Sequence, residues 1–336
     1  MSIRQILLCV PRFLLSRIQT RRDAALADSA GFVLDGSPFR FLDIGASGGI
    51  LPRFLPYRSG IAFTGLEPDE RSVKALLESP FSKEFASYKV HPSAAWENSG
   101  RLKIHFTRKP TCSSVFEPNI DFLGRFPDVE RFDVVGEGEM ECQTLDRLLV
   151  DPSTTPDFIK LDLEGGELAV LNGAPETLKT CLGLHTEVSF HQLRRGQPRF
   201  GDISSHLHDQ GFEFIDFVTI SRWSRDKYDG VGQVWFGDAL FMRSPEYVAN
   251  EIKNGLLEPR KANSYVWLCL IYARYDLALR FLEQADGLLS EGLIAQSRLL
   301  ISVRRKKFDR RNGILRIMTG LYNYLLQSDT DLHLLY

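Results

Sequence analysis

Three groups of residues in this chain have types and spacings suited to chemistry. The first is Asp43-Ile44-Gly45-Ala46-Ser47-Gly48-Gly49, which closes the apolar stretch starting at Phe39. A buried strand ending in an acid and a glycine-rich turn lets the backbone fold sharply and come close to a ligand. In a doubly wound sheet, this is the end of the first strand, where ligands sit at the topological switch point. The second is Glu67-Pro68-Asp69, at the end of the apolar run Ile61 to Leu66. An acid at the end of the second strand accepts hydrogen bonds from both ribose hydroxyls of a nucleoside. The third is Lys160-Leu161-Asp162-Leu163-Glu164, where ionisable groups alternate with apolar ones in a strand expected from Phe158 to Leu163. Three such groups on one face of a central strand are costly to bury without partners. They belong at its C-terminal end, where a cofactor cleft opens.

The glycine spacing argues against a dinucleotide such as NAD. Gly45, Gly48 and Gly49 read G-x-x-G-G, not the G-x-G-x-x-G that cradles a pyrophosphate. A nucleoside cofactor without a pyrophosphate fits the looser turn.

The elements that must position these groups follow from periodicity. Strands are expected at 39–44, 61–66, 87–92, 102–107, 137–143, 158–163, 182–188, 212–218 and 234–242. Helices are expected at 51–57, 70–77 (Asp69 as N-cap), 167–171 and 200–210. Strands alternate with helices, and the last two strands have no helix between them. That is an α/β doubly wound sheet finishing in an antiparallel hairpin. From Pro245 on, the strand pattern stops, and helices are expected at 266–282, 288–303 and 314–326. The expected domains are a basic amphipathic N-terminal helix (1–30), the α/β domain (31–244) and an α-helical C-terminal domain (245–336).

Composition is that of an ordinary globular chain. Of 336 residues, 43% are apolar and 25% charged, and the net charge of −2 exerts no global pull on nucleic acid. The chain also lacks a basic stripe with interleaved aromatics, so no nucleic-acid partner is expected. Five scattered cysteines without a C-x-x-C pair read as reduced core thiols in a cytoplasmic protein. The N-terminal segment carries five arginines and no acid before Asp23. It reads as a helix packed on the domain, and its charge also suits peripheral contact with an anionic membrane surface. The basic run 304–311 reads as a solvated connector between helices.

The run Phe41-Leu42-Asp43-Ile44-Gly45-Ala46-Ser47-Gly48-Gly49, with Leu66-Glu67-Pro68, Gln143-Thr144-Leu145-Asp146 and Phe158-Ile159-Lys160-Leu161-Asp162-Leu163-Glu164-Gly165-Gly166-Glu167, resembles the FkbM family of S-adenosylmethionine-dependent methyltransferases. The Lys-x-Asp-x-Glu-Gly-x-Glu run is the most specific part. The resemblance spans roughly Phe39 to Arg243. Ser47, Gly48 and Gly166 depart from the residues usual in the family.

The resemblance implies a class I methyltransferase fold with a Rossmann-like sheet of seven strands, the last one antiparallel. It implies S-adenosylmethionine as cofactor and O-methylation of a hydroxyl on a sugar, glycan or other small molecule. The cofactor would lie against Asp43, Gly45, Ala46, Ser47, Gly48, Glu67 and Pro68, with Ser93 and Ala94 near the adenine and Trp96 in reach of it. Lys160, Asp162 and Glu164 would face the acceptor. A carboxylate there would act as general base, or Asp162 and Glu164 would hold a divalent metal that acidifies the hydroxyl. Glu187 and His191, at the end of the next strand, would complete either arrangement, and Asp238 is a further acid in an apolar strand. The alternative is a non-catalytic module that binds a partner, or a second copy, through its helical C-terminal region.

Overall fold

A computed structural model describes residues 33–150, 155–225, 231–303 and 305. The basic N-terminal segment, nearly all of the basic run 304–311, and the helix expected at 314–326 lie outside the described residues.

Seven strands form the main sheet. They are β1 (Phe39–Ile44), β2 (Ile61–Leu66), β3 (Ser87–His91), β7 (Phe158–Leu161), β8 (Gly183–Ser189), β9 (Glu213–Trp223) and β10 (Gln233–Met242). Their order is β3-β2-β1-β7-β8-β10-β9. All neighbours are parallel except β10, which runs antiparallel to both β8 and β9. This is the doubly wound sheet expected from the sequence, including its one reversed strand. The stretches around 102–107 and 137–143 do not join it. They form β5 (Gly100–Thr107) and β6 (Val134–Gln143), which with β4 (Ala94–Ala95) build a separate three-stranded sheet.

Helices cover both faces. On one side α2 (Glu167–Asn172), α3 (Pro175–Thr180) and α4 (Phe200–Asp209) bury Val170, Leu178, Ile203 and Leu207 against Leu42, Ile159 and Leu184. α1 (Glu70–Leu77) begins where expected, with Asp69 accepting from the Arg71 amide. The opposite face carries Phe39, Phe41, Phe63 and Phe158. It is covered by Phe54, Tyr57 and the C-terminal helices α5 (Pro245–Lys253), α6 (Lys261–Ile271) and α7 (Tyr275–Gln284). The Trp267 ring lies 4.5 Å from that of Phe39. The segment from Pro245 on therefore shares one aromatic core with the sheet.

Two helices differ from expectation. The stretch 51–57 contains Pro52 and Pro56, and only a 3-10 helix forms, at Leu55–Gly60; proline lacks the amide that an α-helix needs. The helix expected at 266–282 is two helices. Ala273 adopts φ +56° and the Arg274 amide bonds back to the Cys269 carbonyl, which ends α6. Residues 291–303 are helical, within the stretch expected.

One buried carboxylate fastens the C-terminal helices to the sheet. Asp157, fully buried just before β7, accepts from the Arg40 amide (3.0 Å), Arg260 (2.8 Å), Lys261 Nζ (3.0 Å) and Ser264 (3.0 Å). Burial pushes its carboxyl up, but Lys261 and Arg260 outweigh that and hold it below the usual range. The four described cysteines, Cys112, Cys142, Cys181 and Cys269, are buried and unpaired. Among the described residues no helix is long and apolar enough to cross a membrane.

Asp157→Asn should cost about 3–5 kcal/mol in urea unfolding, because it strands Lys261 in the core. A depressed carboxyl stabilises the fold above its unfolded pKa and stops doing so as pH falls through its folded value. The difference between wild type and variant should therefore shrink in acid. A chain ending at Met242 should be insoluble, since Phe39, Phe54 and Phe158 lose their cover; a soluble monomer would contradict the shared core.

Candidate active site

The face that is aromatic under the C-terminal helices turns ionic at its C-terminal edge. Along β1 it reads Phe39, Phe41, Asp43; along β7 it reads Phe158, Lys160. Register places Asp43, Lys160 and His185 side by side on β1, β7 and β8. Glu187 on β8 and Asp238 on β10 pair one step further on.

Lys160 is the centre of this edge. Its Nζ lies 3.1 Å from Asp43 Oδ1, 3.4 Å from Asp162 Oδ2 and 3.3 Å from the Gly45 carbonyl. Burial would lower the Lys160 pKa, but the two carboxylates outweigh it and raise it. Asp43 is fully buried, and although Lys160 is within ion-pair distance, neither of its oxygens receives a well-directed hydrogen bond. Desolvation pushes its carboxyl up to about 7 against the pull of Lys160. Asp43 is thus closed off from solvent, with Lys160 as its ion-pair neighbour.

The turn itself is sterically determined. Gly45 has φ +76°, and a Cβ there would stand 2.2 Å from the Asp162 carbonyl oxygen. Only glycine lets β1 turn against the residue that follows β7. Ala46 is buried, whereas Ser47 and Gly48 are exposed. Glu67 follows β2 and is buried; it accepts from the Asp69 amide at 2.9 Å and from Ser47. Burial raises its pKa. Pro68 is exposed beside it, and Ser93 and Ala94 follow the end of the neighbouring β3. The expected cofactor residues therefore line adjacent strand ends. Trp96 packs on the backbone of Gly166, where a Cβ would meet its ring at 2.8 Å.

β7 ends earlier than expected, at Leu161, where its pairing with Ile44 stops. Asp162 still donates its amide to the Ile44 carbonyl, and Glu164 then takes φ +56° and Gly165 φ +114°. Asp162 and Glu164 are therefore presented by a tight turn, not by strand alternation. Glu167 holds that turn: its buried carboxylate accepts from the Leu163 (2.8 Å) and Gly165 (3.3 Å) amides, and desolvation pushes it up to about 7.

The turn brings Asp162 and Glu164 to Glu187, with one carboxylate oxygen of each within 4.8 Å of the others. Burial and the neighbouring carboxylates of Glu164, Asp162 and Glu167 push Glu187 well above its ordinary range. Glu164 is raised by burial against the opposing charge of Arg194. Arg194, almost wholly buried, makes a short ion pair with Glu164 and donates to the Cys112 carbonyl at 3.2 Å. His191 does not join this cluster. It stacks on Phe122 and its Nε2 lies 2.8 Å from Gln233. Asp238 meets His185 (3.6 Å) and Thr219. Burial raises Asp238, but His185 and Thr219 outweigh it and leave it below its usual value. His185 also reaches the Tyr272 hydroxyl, at 3.1 Å.

Arg194 and His185 carried no sequence signal, because their partners lie on other elements. Glu167 stood in the motif, but its role as the clamp of the turn required the fold.

The family model described as Methyltransferase FkbM domain matches residues 43–214. No curated protein gives a significant match. Among solved structures, a magnesium protoporphyrin IX methyltransferase from Synechocystis is 13% identical, over 69% of this chain and 85% of that one, with a TM-score of 0.33. A precorrin-6y C5,15-methyltransferase from Geobacter metallireducens is 12% identical over 65% and 89%, with a TM-score of 0.30. A 23S rRNA methyltransferase is 16% identical over 64% and 67%, with a TM-score of 0.30. Likenesses this weak say nothing of the substrate.

Gly45→Ala should destabilise the protein by at least about 1–3 kcal/mol, the scale of a strained backbone, because the methyl overlaps the Asp162 carbonyl as well. In wild type, the raised Asp43 carboxyl costs stability as it ionises between pH 3.8 and about 7. In Lys160→Met that decline should continue above pH 7, read from urea unfolding across pH.

Proposed function

The chain belongs to the FkbM family of S-adenosylmethionine-dependent methyltransferases, and from that premise we propose that it methylates a hydroxyl group of a sugar, glycan or secondary metabolite. The observation behind this reading is the group of carboxylates Asp162, Glu164 and Glu187 at the C-terminal ends of β7 and β8. A hydroxyl is a weak nucleophile until its proton has somewhere to go. A carboxylate whose proton affinity is raised above its ordinary value is suited to receive it. Glu187 fits that role best, since three other carboxylates and burial raise it. Asp162, exposed and anchored on Lys160, is placed to orient the hydroxyl.

Bound S-adenosylmethionine supplies an electrophilic methyl group on a sulfonium. Glu67 would accept from the ribose hydroxyls, the Ala46–Gly48 turn would lie along the methionine moiety, and Ser93 and Ala94 would border the adenine. Holding acceptor and donor in line removes much of the entropic barrier to the displacement.

The same carboxylates suit a divalent cation. All three donors are hard oxygens, the set that takes magnesium, manganese or calcium. Asp162, Glu164 and Glu187 would hold it, and it would acidify a coordinated hydroxyl. Arg194 already engages one oxygen of Glu164, leaving the other for a ligand.

Calorimetric titration with S-adenosylhomocysteine should show saturable binding. Glu67→Ala should weaken it by about 1.5–3 kcal/mol, the scale of hydrogen bonds to a charged group. Asp162→Asn should keep that affinity and lose methyl transfer, and chelation should suppress transfer if the cation is required. Absence of binding to wild type would point to the non-catalytic alternative.

A further inference from the structure

A cavity of about 320 Å³ opens beside the acidic cluster, with Glu164 and Glu187 in one wall. The rest of it is built by the segment between β5 and β6, by Leu193 and Arg194 after β8, and by the hairpin of β9 and β10. Two features of this cavity are unused by the chemistry above.

The first is its charge. Four cations, Lys109, Arg131, Arg194 and Arg222, line it against the two glutamates, in a chain whose net charge is −2. Arg194 is committed to Glu164, but the others are not committed to either glutamate among the described residues. The Arg131 guanidinium lies 3.4 Å over the Trp223 ring. Such stacking fixes the plane of the guanidinium and leaves its N–H edge to fork an anion.

The second is a set of donors without acceptors. Arg131 Nε, Arg194 Nε and Trp235 Nε1 are buried N–H groups with no hydrogen-bond partner among the described residues. All three belong to side chains that line this one cavity. A buried donor without an acceptor carries an uncompensated desolvation cost, and native proteins leave few. These atoms have almost no surface open to the cavity, so it is the cationic lining that favours an anion there.

Resting on the proposed O-methylation, we propose that the cavity takes the negatively charged group of the acceptor, a sugar carrying a carboxylate or a phosphate. Arg131 and Lys109 hold the anion, and the sugar hydroxyl is thereby presented to Glu187. Neutral sugars lack the charge that these cations attract and bind weakly.

The test uses full-length protein, saturated with S-adenosylhomocysteine, in calorimetric titrations with methyl glucuronide, glucose 1-phosphate and the neutral methyl glucoside. At least one charged sugar should bind about tenfold or more tighter than the glucoside, and which one does so distinguishes carboxylate from phosphate. Arg131→Gln and, at the exposed rim, Lys109→Gln should each remove most of that preference while S-adenosylhomocysteine affinity stays unchanged. Equal binding of the neutral sugar, no binding of either charged sugar to cofactor-loaded protein, or charged-sugar binding indifferent to both variants would each overturn the proposal. The preceding S-adenosylhomocysteine titration reports on the methyltransferase reading separately, so the two failures are distinguishable.

Discussion

The interaction on which the site depends is the contact of Lys160 with two carboxylates and one carbonyl. One ammonium group touches β1 through Asp43, the glycine turn through the Gly45 carbonyl, and the acidic turn through Asp162. Removing Lys160 alone would leave the Asp43 carboxylate buried without its cation, which is far more costly than never having buried it. The pair is held in a strand whose other positions, Phe158, Ile159 and Leu161, are fully buried. The hydrophobic core thus fixes where the ammonium stands, and the ammonium ties the glycine turn to the acidic turn.

A second constraint follows from the sheet's geometry. Side chains alternate between faces at every residue, and in this sequence one face of β1 and β7 passes from aromatic to ionic within a few positions. The aromatic part is buried by α5, α6 and α7, which Asp157 fastens to the start of β7. The ionic part remains at the C-terminal edge, beside the cavity. His185 marks the border: it bonds Tyr272 at the end of α6 on one side and Asp238 on the other. The C-terminal helices are therefore cover for the core and, at Tyr272, a neighbour of the site.

The family motif is legible piece by piece in these terms. Asp43 neutralises Lys160 from below, and Gly45 admits the Asp162 carbonyl. Glu167 clamps the amides of the turn, so that Asp162 and Glu164 face Glu187. The segment between β5 and β6 contributes no motif residue, yet it walls the cavity and supplies Lys109, Cys112 and Arg131 to it. Motif residues thus build the turns, while the cavity beside them is walled largely by residues outside the motif.

What the sequence by itself determined was local or periodic. Period-two alternation and apolar runs located each strand of the main sheet, and Asp69 marked the start of α1, because burial on a face and capping depend on near neighbours in the chain. Glycine spacing argued against a dinucleotide, and Lys160, Asp162 and Glu164 announced a cluster because charges in an apolar strand need partners. Tertiary structure alone decided who those partners were. Arg194, His185 and Asp157 acquire their roles from residues far away in sequence. β5 and β6 left the main sheet for one of their own, although their alternation is that of any strand. His191, one β-strand end from the cluster, was turned instead toward Phe122 and Gln233. The break at Ala273 and the shared core of the C-terminal helices were likewise invisible, since neither a left-handed alanine nor the face on which a helix packs leaves a mark in composition. Ion pairs and packing are set by proximity in space, and proximity in space is what the order of residues does not state until the chain has folded.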